Sequence, residues 1–257
     1  LFFRRQNTGI ILAATLCGVV LTGSLTVGDS VRSTLRTLAE VRIGEGDLAM
    51  LSPDGFFRED LAERIKKELR DEESVVAPIV LSRGVLTSPD GATRVSNIQV
   101  LGVDPRFWKL APDSKLAPTG TELIKKGFSN WGTETFFVNE RLGKRLKSEI
   151  GERLILRMEE PSLFSRDAPL SGERDSKFVS MNKEFGGIIP PGGFGNFGLL
   201  GNQREPLTLF VSLSELQKKL FRSLDEATQS TNFANFLLLG IPGDKEIDLE
   251  KAKLAMD

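Results

Sequence analysis

Apolar positions fall into two regimes along this chain. No charge occurs from residue 6 to residue 28, and residues 9–28 read GIILAATLCGVVLTGSLTVG. After that, apolar residues come in short runs and stripes broken by Gly, Pro and charge. Twenty helical residues at about 1.5 Å rise span about 30 Å, one hydrocarbon core. Nine of the twenty are Ile, Leu or Val. At about −0.4 kcal/mol each they favour insertion by roughly 3–4 kcal/mol. Thr15, Thr22, Ser24 and Thr26, with four Gly, offset part of that gain. Residues 1–28 therefore predict a short polar end and a transmembrane helix.

Two other readings of the run stay open on residues alone. One is a cleaved signal peptide with Arg4 and Arg5 as its basic start. The run exceeds the usual ~7–15-residue apolar region, however, and no A-x-A site follows. Leu16 also stands before Cys17, where a lipoprotein signal needs a small residue. The other is a buried core helix. Ala14, Gly18 and Thr22 sit four apart, a stripe on which another helix could pack. Arg4 and Arg5 favour a cytoplasmic N-terminus, but Arg32, Arg36 and Arg42 follow the other end, so basic residues do not decide orientation.

The remainder, 29–257, predicts a mixed domain. Val31, Leu35, Leu38 and Val41 continue the helical stripe as a stalk that ends near Gly44, with Arg36 and Glu40 spaced as an i,i+4 pair. Residues 47–52 read as a short strand. Phe57, Leu61, Ile65 and Leu69 mark an amphipathic helix. Residues 75–86 and 94–103 are β-branched, with Ser88-Pro89-Asp90-Gly91 between them, which predicts a hairpin. Asp104-Pro105 ends it, and Phe107 and Trp108 are expected to pack on the domain. Residues 109–133 read as loop.

Further on, residues 135–138 predict a strand, then a helix from Asn139 through Leu142, Leu146 and Ile150, stopped by Gly151. Residues 153–158 and 177–181 predict strands around a polar stretch. Residues 186–201 are rich in Gly and Pro. Residues 208–211 predict a strand, and Ser212 with Glu215 a capping box for a helix through Leu213, Leu216 and Leu220. Residues 235–241 predict a strand stopped by Pro242-Gly243. Helices and strands interleave without a strict βαβ repeat, so the expected class is α+β, one transmembrane helix running into a stalk and then a mixed domain. The chain opens on Leu1 and stops inside a helix-like run, 248–256, which predicts a piece of a longer protein with an incomplete C-terminus.

Composition narrows the chemistry. The 257 residues carry 34 Lys and Arg against 35 Asp and Glu, a net charge of −1. Without Arg4 and Arg5 the remainder is at −3, so no general affinity for nucleic acid is expected. There is no His, no Tyr and one Cys. Imidazole bases, Ser-His-Asp triads, His-ligated metals and disulfides within the chain are excluded. These counts point away from an enzyme, and no catalytic, cofactor-binding or metal-binding residue is assigned.

Several motifs tempt and fail. Gly193-Phe194-Gly195-Asn196-Phe197-Gly198 fits G-x-G-x-x-G, but a dinucleotide site needs a strand before it and a helix starting on it. Pro190-Pro191 and Pro206 forbid that context, so a flexible surface loop is expected. Phe194 and Phe197 then either pack onto the domain, the favoured reading, or form a contact point for a partner or lipid. Ser180-Met181-Asn182-Lys183 fits S-x-x-K, but no K-T-G or K-S-G follows. No P-loop exists, so the chain has no ATP site of its own. Glu159-Glu160 point apart if extended, and Cys17 is a small residue of the apolar helix.

One resemblance covers about residues 4–240. The apolar helix followed by Leu21-Thr22-Gly23-Ser24-Leu25-Thr26-Val27-Gly28-Asp29-Ser30-Val31-Arg32 and Leu35 resembles the first membrane helix of MacB/FtsX-type ABC transporter permeases. It is closest in pattern to those whose helix enters a TGALLVGDSVRGSL-type stalk. Gly102-Val103-Asp104-Pro105-Arg106-Phe107-Trp108 and Val138-Asn139-Glu140-Arg141-Leu142 fit the same subgroup. So do 157–162, Asn202-Gln203, Phe210-Val211-Ser212-Leu213 and Leu216-Gln217.

The resemblance implies a helix crossing the bacterial inner membrane from a cytoplasmic N-terminus, and a MacB-like periplasmic core domain over 29–257. Three more membrane helices, absent here, would complete the permease. ATP is expected on a partner ABC ATPase subunit, fused or separate, with no cofactor in this chain. Other implied partners are a second permease copy, membrane lipid, and a periplasmic partner or cargo of the lipoprotein, peptide or drug-like kind. The alternative is a single-pass anchored extracytoplasmic binding or sensor module. A secreted enzyme behind a signal peptide is the third reading, and the lack of His weighs against it.

Overall fold

The computed structural model describes residues 2–52, 55–69, 71, 73–118, 134–159, 178–198, 205–222 and 232–241. Its first element, α1 (Phe2–Ile43), is one uninterrupted helix of 42 residues, about 63 Å long at 1.5 Å per residue. The apolar run and the stalk stripe are thus a single rod. Thr8–Ala39 is long and apolar enough to cross a membrane, and none of its most apolar stretch is covered by the rest of the chain. Leu16 is 70% exposed. That removes the core-helix reading, because a core helix is covered by its own domain.

The threonines of α1 do not waste their hydroxyls. Thr15 donates to the Ile11 carbonyl, Thr22 to Gly18 and Thr26 to Thr22, each at 2.7 Å. Thr34 and Thr37 repeat the pattern in the stalk. Each hydroxyl satisfied within its own helix lowers the cost of placing it in hydrocarbon.

The domain is built on β1 (Leu48–Leu51), β2 (Phe57–Arg58), α2 (Asp60–Leu69), β3 (Val75–Thr87), β4 (Arg94–Val103), α3 (Pro105–Lys109) and the 3₁₀ turn η1 (Ser114–Leu116). Then come β5 (Thr135–Asn139), α4 (Glu140–Leu146), β6 (Arg153–Glu159), β7 (Phe178–Ile189) and the 3₁₀ turn η2 (Pro191–Gly193). The last described elements are β8 (Thr208–Ser212), α5 (Leu213–Leu220), β9 (Phe233–Ala234) and β10 (Phe236–Gly240). This is the α+β class that the sequence predicts.

Among the described residues, eight strands form one mixed sheet in the order β1-β10-β3-β4-β8-β5-β7-β6, and β2 pairs with β9. β4 with β8 and β5 with β7 are parallel. β3 makes the topology possible. Its first half pairs with β10, and its second half pairs with β4 on one side and β6 on the other. Six strands therefore close into a ring, while β10 and β1 extend the sheet as a flap. The closure falls where the β3–β4 register slips between Gly84 and Leu86, with Asn97 at φ 58. A bulge of this kind sharpens the local twist and bends the strand toward its new partner.

Among the described residues, three apolar clusters fill the domain. Val100, Phe136, Leu156, Leu216 and neighbours join the ring to α4 and α5. Leu101, Phe107, Trp108, Phe194, Phe210 and Phe236 form an aromatic layer on the other face. Ala62 and Ile65 of α2 cover Val76 of β3 with Leu237 and Leu239 of the flap.

The hairpin, the Asp104 stop and the burial of Phe107 and Trp108 follow the sequence reading. At the turn, the Ser88 hydroxyl and the Ala92 N–H donate to the Asp90 carboxylate and hold its pKa below the ordinary value.

Other boundaries differ. The second helix begins at Asp60, so Phe57 lies in β2. α4 stops at Leu146, because Lys147 turns left-handed at φ 52, and Ile150 lies outside the helix at 52% exposure. β7 runs through Gly186 and Gly187 instead of ending at Met181. A methyl on Gly186 would stand 3.0 Å from the Phe137 ring, so the glycine makes room for an aromatic and does not mark a loop. Ser212 is the N-cap of α5, but its hydroxyl meets Ser214 Oγ at 3.1 Å, and Glu215 reaches the Lys183 amine at 3.4 Å. The capping box does not form, because a buried lysine competes for its glutamate. The predicted segments at 248–256 and Pro242-Gly243, and most of the polar stretch after Glu159, lie outside the described residues.

Asn139 is fully buried and does three jobs. Its Oδ1 accepts the Leu142 N–H at 3.0 Å and the Thr208 N–H at 3.2 Å, and its Nδ2 donates to the Pro206 carbonyl at 2.8 Å. It caps α4 and ties β5 to the start of β8. Asn139→Ala is expected to cost about 2–4 kcal/mol, a lost cap plus buried groups left without partners. At about 2–4 °C per kcal/mol, a thermal melt of the membrane-embedded chain reads this as a loss of several degrees.

Candidate functional site: the joint between the long helix and the domain

The rod meets the sheet over four residues. α1 ends at Ile43, and Gly44 adopts φ 61, a left-handed C-cap that glycine occupies without a Cβ penalty. A methyl there would lie 2.6 Å from the Leu110 carbonyl oxygen and 2.6 Å from the Phe194 ring. The Glu45 N–H donates to the Leu110 carbonyl at 2.9 Å, and the Asp47 N–H to Leu239 at 2.9 Å. Gly46 lies so close to Leu238 that a methyl would come within 2.7 Å of its Cδ1. Across the joint, Gly240 of β10 packs directly on the Glu45 carbonyl, with no room for any side chain. Arg42, in the last turn of α1, is buried and complements the negative end of the helix dipole. The rod is therefore seated by main-chain contacts.

The other wall of the seat is aromatic. Phe194 follows η2 at φ 73 and is 1% exposed. Its ring stacks on Phe107 at 4.7 Å and 28°. Phe197 meets Phe107 edge-on at 5.1 Å, and Trp108 lies 5.3 Å from Phe210. Gly193 to Gly198 is consequently a tight turn whose two Phe rings are core, not a flexible surface loop. The favoured half of the sequence expectation, that both rings pack on the domain, holds.

Behind Phe107 lies a charged hub. Asp104 caps α3 by accepting from the N–H groups of Arg106 at 2.9 Å and Phe107 at 3.3 Å. The Arg106 guanidinium holds Asp104 at 2.5 Å, Glu63 at 2.7 Å and Glu59 at 2.9 Å. Burial works against the cation, but Asp104 first, then Glu59 and Glu63, outweigh it and hold the pKa above the usual guanidinium value. The second oxygen of Glu59 accepts from Gln217 Nε2 at 3.1 Å, and that amide also donates to the Phe233 carbonyl at 3.0 Å. One arginine thus ties α2, α3 and α5 together.

No family model matches the sequence, and no curated protein matches it either. Eighteen chains of solved structures do match. The domain is similar to the periplasmic region of MacB from Actinobacillus actinomycetemcomitans. Identity is 10%, the TM-score is 0.43, and the match covers 80% of this chain and 79% of that one. It is also similar to the extracellular domain of the noncanonic ABC-type transporter YknZ from Gram-positive bacteria. There identity is 11%, the TM-score is 0.37, and coverage is 80% and 90%.

The motifs set aside in the sequence stay apart in space. Ser180 is exposed, whereas Lys183, three residues along the same strand, is buried against Glu215 on the opposite face. Cys17 is exposed on α1. Glu160 lies outside the described residues. The stalk ends at Gly44 as the sequence predicts, but the joint is not visible in the sequence, since Phe194 and Gly240 reach it from about 150 and 200 residues away. The one available signal was the pair of Phe residues in a glycine-rich stretch, an apolar payload that a solvent loop does not need.

Proposed function

We propose that this chain is the first membrane helix and the extracytoplasmic domain of an ABC transporter permease of the MacB/FtsX type. The observation that carries the proposal is the single helix α1, which runs from an apolar span without a break into a main-chain seat on the domain. Such a rod converts displacement of the membrane part into displacement of the domain, because neither the helix nor its seat contains a flexible link. The sequence resemblance supplies the remaining context. The site is the bacterial inner membrane, with residues 29–257 outside. The partners are an ABC ATPase, fused or separate, a second permease copy and lipid, and ATP acts on the partner alone. Motion of the outer domain drives export or extraction of lipoprotein, peptide or drug-like cargo. Nothing in this scheme needs a nucleophile, a metal or an imidazole.

Two measurements test it. The full-length protein, purified from its native membrane with its genomic neighbours co-expressed, is expected to bring down an ABC-type ATPase or to carry one in its own chain. A chain that purifies alone and leaves ATP hydrolysis unchanged overturns the permease reading. Topology is checked with a Gly91→Cys variant, since Gly91 sits in open space at the hairpin tip. A membrane-impermeant thiol reagent added to intact spheroplasts is expected to label it. Labelling only after lysis places the domain on the wrong side.

A further inference from the structure

Resting on the stalk reading above, we propose that Phe194 is a latch coupling the seat of α1 to a cleft at the far side of the charged hub. The cleft measures about 160 Å³ and is lined by Glu59, Asp104, Pro105, Ser212, Leu213, Ser214 and Gln217. It lies between Glu59, which immediately precedes α2, and the N-terminal ends of α3 and α5, so its width depends on how those segments sit.

The route from seat to cleft is continuous. Phe194 is a bulky residue held at φ 73, a backbone conformation such residues rarely adopt. Its N–H donates to the Pro191 carbonyl at 3.2 Å and its carbonyl accepts from Phe197 at 3.0 Å, so the turn fixes the ring in place. The ring fills the space over Gly44 that a methyl would need. A displacement of the seated end of α1 at Gly44 therefore has to move this ring. The ring stacks on Phe107, which belongs to a five-residue helix capped by Asp104 and carrying Arg106. A helix this short moves as one body. Arg106 carries the movement to Glu63 of α2 and to Glu59 just before it, and Glu59 passes it to Gln217 on α5. The cleft opens or narrows accordingly.

Coupling between two sites is reciprocal, and a chain of contacts alone does not establish it. The test is therefore run in both directions, by hydrogen exchange on the full chain in lipid nanodiscs. Phe194→Gly removes the ring and relieves the backbone. Gln217→Ala perturbs the cleft end without touching the aromatic stack. Phe194→Gly is expected to speed exchange in residues 213–217 as well as in 43–47. Gln217→Ala is expected to speed exchange in 43–47 by about fivefold, the lower end of ordinary allosteric coupling. Exchange in β6, residues 153–159, stays unchanged in both.

Changes confined to the segment next to each substitution overturn the latch. If Phe194→Gly fails to fold, Gln217→Ala read at 43–47 decides alone, with Phe194→Leu as the milder variant at the seat. The outcome is separable from the function reading. Coupling in a chain that recruits no ATPase overturns the permease and keeps the latch, and the reverse result does the opposite.

Discussion

A Gly240→Ala chain is expected to lose its seated α1 and to melt well below the parent, although the change adds one methyl. That methyl would drive into the Glu45 carbonyl oxygen and come within 2.9 Å of both the Glu45 carbonyl carbon and a Leu110 methyl. The first obstacle is backbone, which cannot rotate out of the way as a side-chain tip can. Overpacking into a well-filled site costs typically 1–3 kcal/mol and occasionally more, and here the relaxation has to separate β1 from β10. The Asp47 N–H bond to Leu239 and the Glu45 N–H bond to Leu110 are the first to break. Two controls calibrate the effect. Gly91→Ala meets nothing within 4 Å and is penalised only for its φ of 73, about 1–2 kcal/mol. Gly23→Ala, in open space on α1, gains about 1 kcal/mol of helix propensity. Thermal melts of the three variants in the same nanodiscs check the order, with Gly240→Ala lowest. A Gly240→Ala melt equal to that of Gly91→Ala would mean that the β1–β10 flap is loosely held and that the joint is not a rigid seat.

The parts of this molecule that the sequence predicts well are those written in contiguous residues. The apolar run and the stripe Val31, Leu35, Leu38 and Val41 share one helical period, and Gly44 ends it where the helix stops. Ser88-Pro89-Asp90-Gly91 announces its hairpin, and Asn139 announces α4 by its capping chemistry. The failures are equally physical. Gly186 looks like a loop residue because glycine is a poor strand former, yet its role is to admit the Phe137 ring, a fact located fifty residues away. Glu215 looks like half of a capping box because nothing local reveals that Lys183 will be buried beside it. The ring closure of β6 on β3 and the meeting of Gly44, Leu110, Phe194 and Gly240 are long-range pairings with no local period. The candidate site was legible in one half, the rod, and illegible in the other, the seat.

The rod itself yields the second large expectation. Proline at position 36 removes the N–H that bonds to the Arg32 carbonyl and presses its ring on that carbonyl, at about 3 kcal/mol or more in a helix interior. The kink falls beyond residue 28, so the apolar span keeps its length and Arg36→Pro is expected to insert into membrane like the parent. It also falls eight residues before Gly44, so the seat keeps its contacts and the domain its melting temperature. What is lost is stiffness between the two. In the proposed assembly with an ABC ATPase, hydrolysis is expected to continue while ATP-dependent motion of the domain disappears. Trp108, buried in the aromatic layer behind the seat, supplies a reporter in its fluorescence, and hydrogen exchange in residues 43–47 supplies another. Arg36→Ala removes the charge but keeps the helix, and it should retain the ATP-dependent signal. An Arg36→Pro assembly whose Trp108 signal still responds to ATP would show that displacement reaches the domain by some element other than α1. A signal lost equally in both variants would instead assign the effect to the guanidinium, leaving the rod as a mere tether.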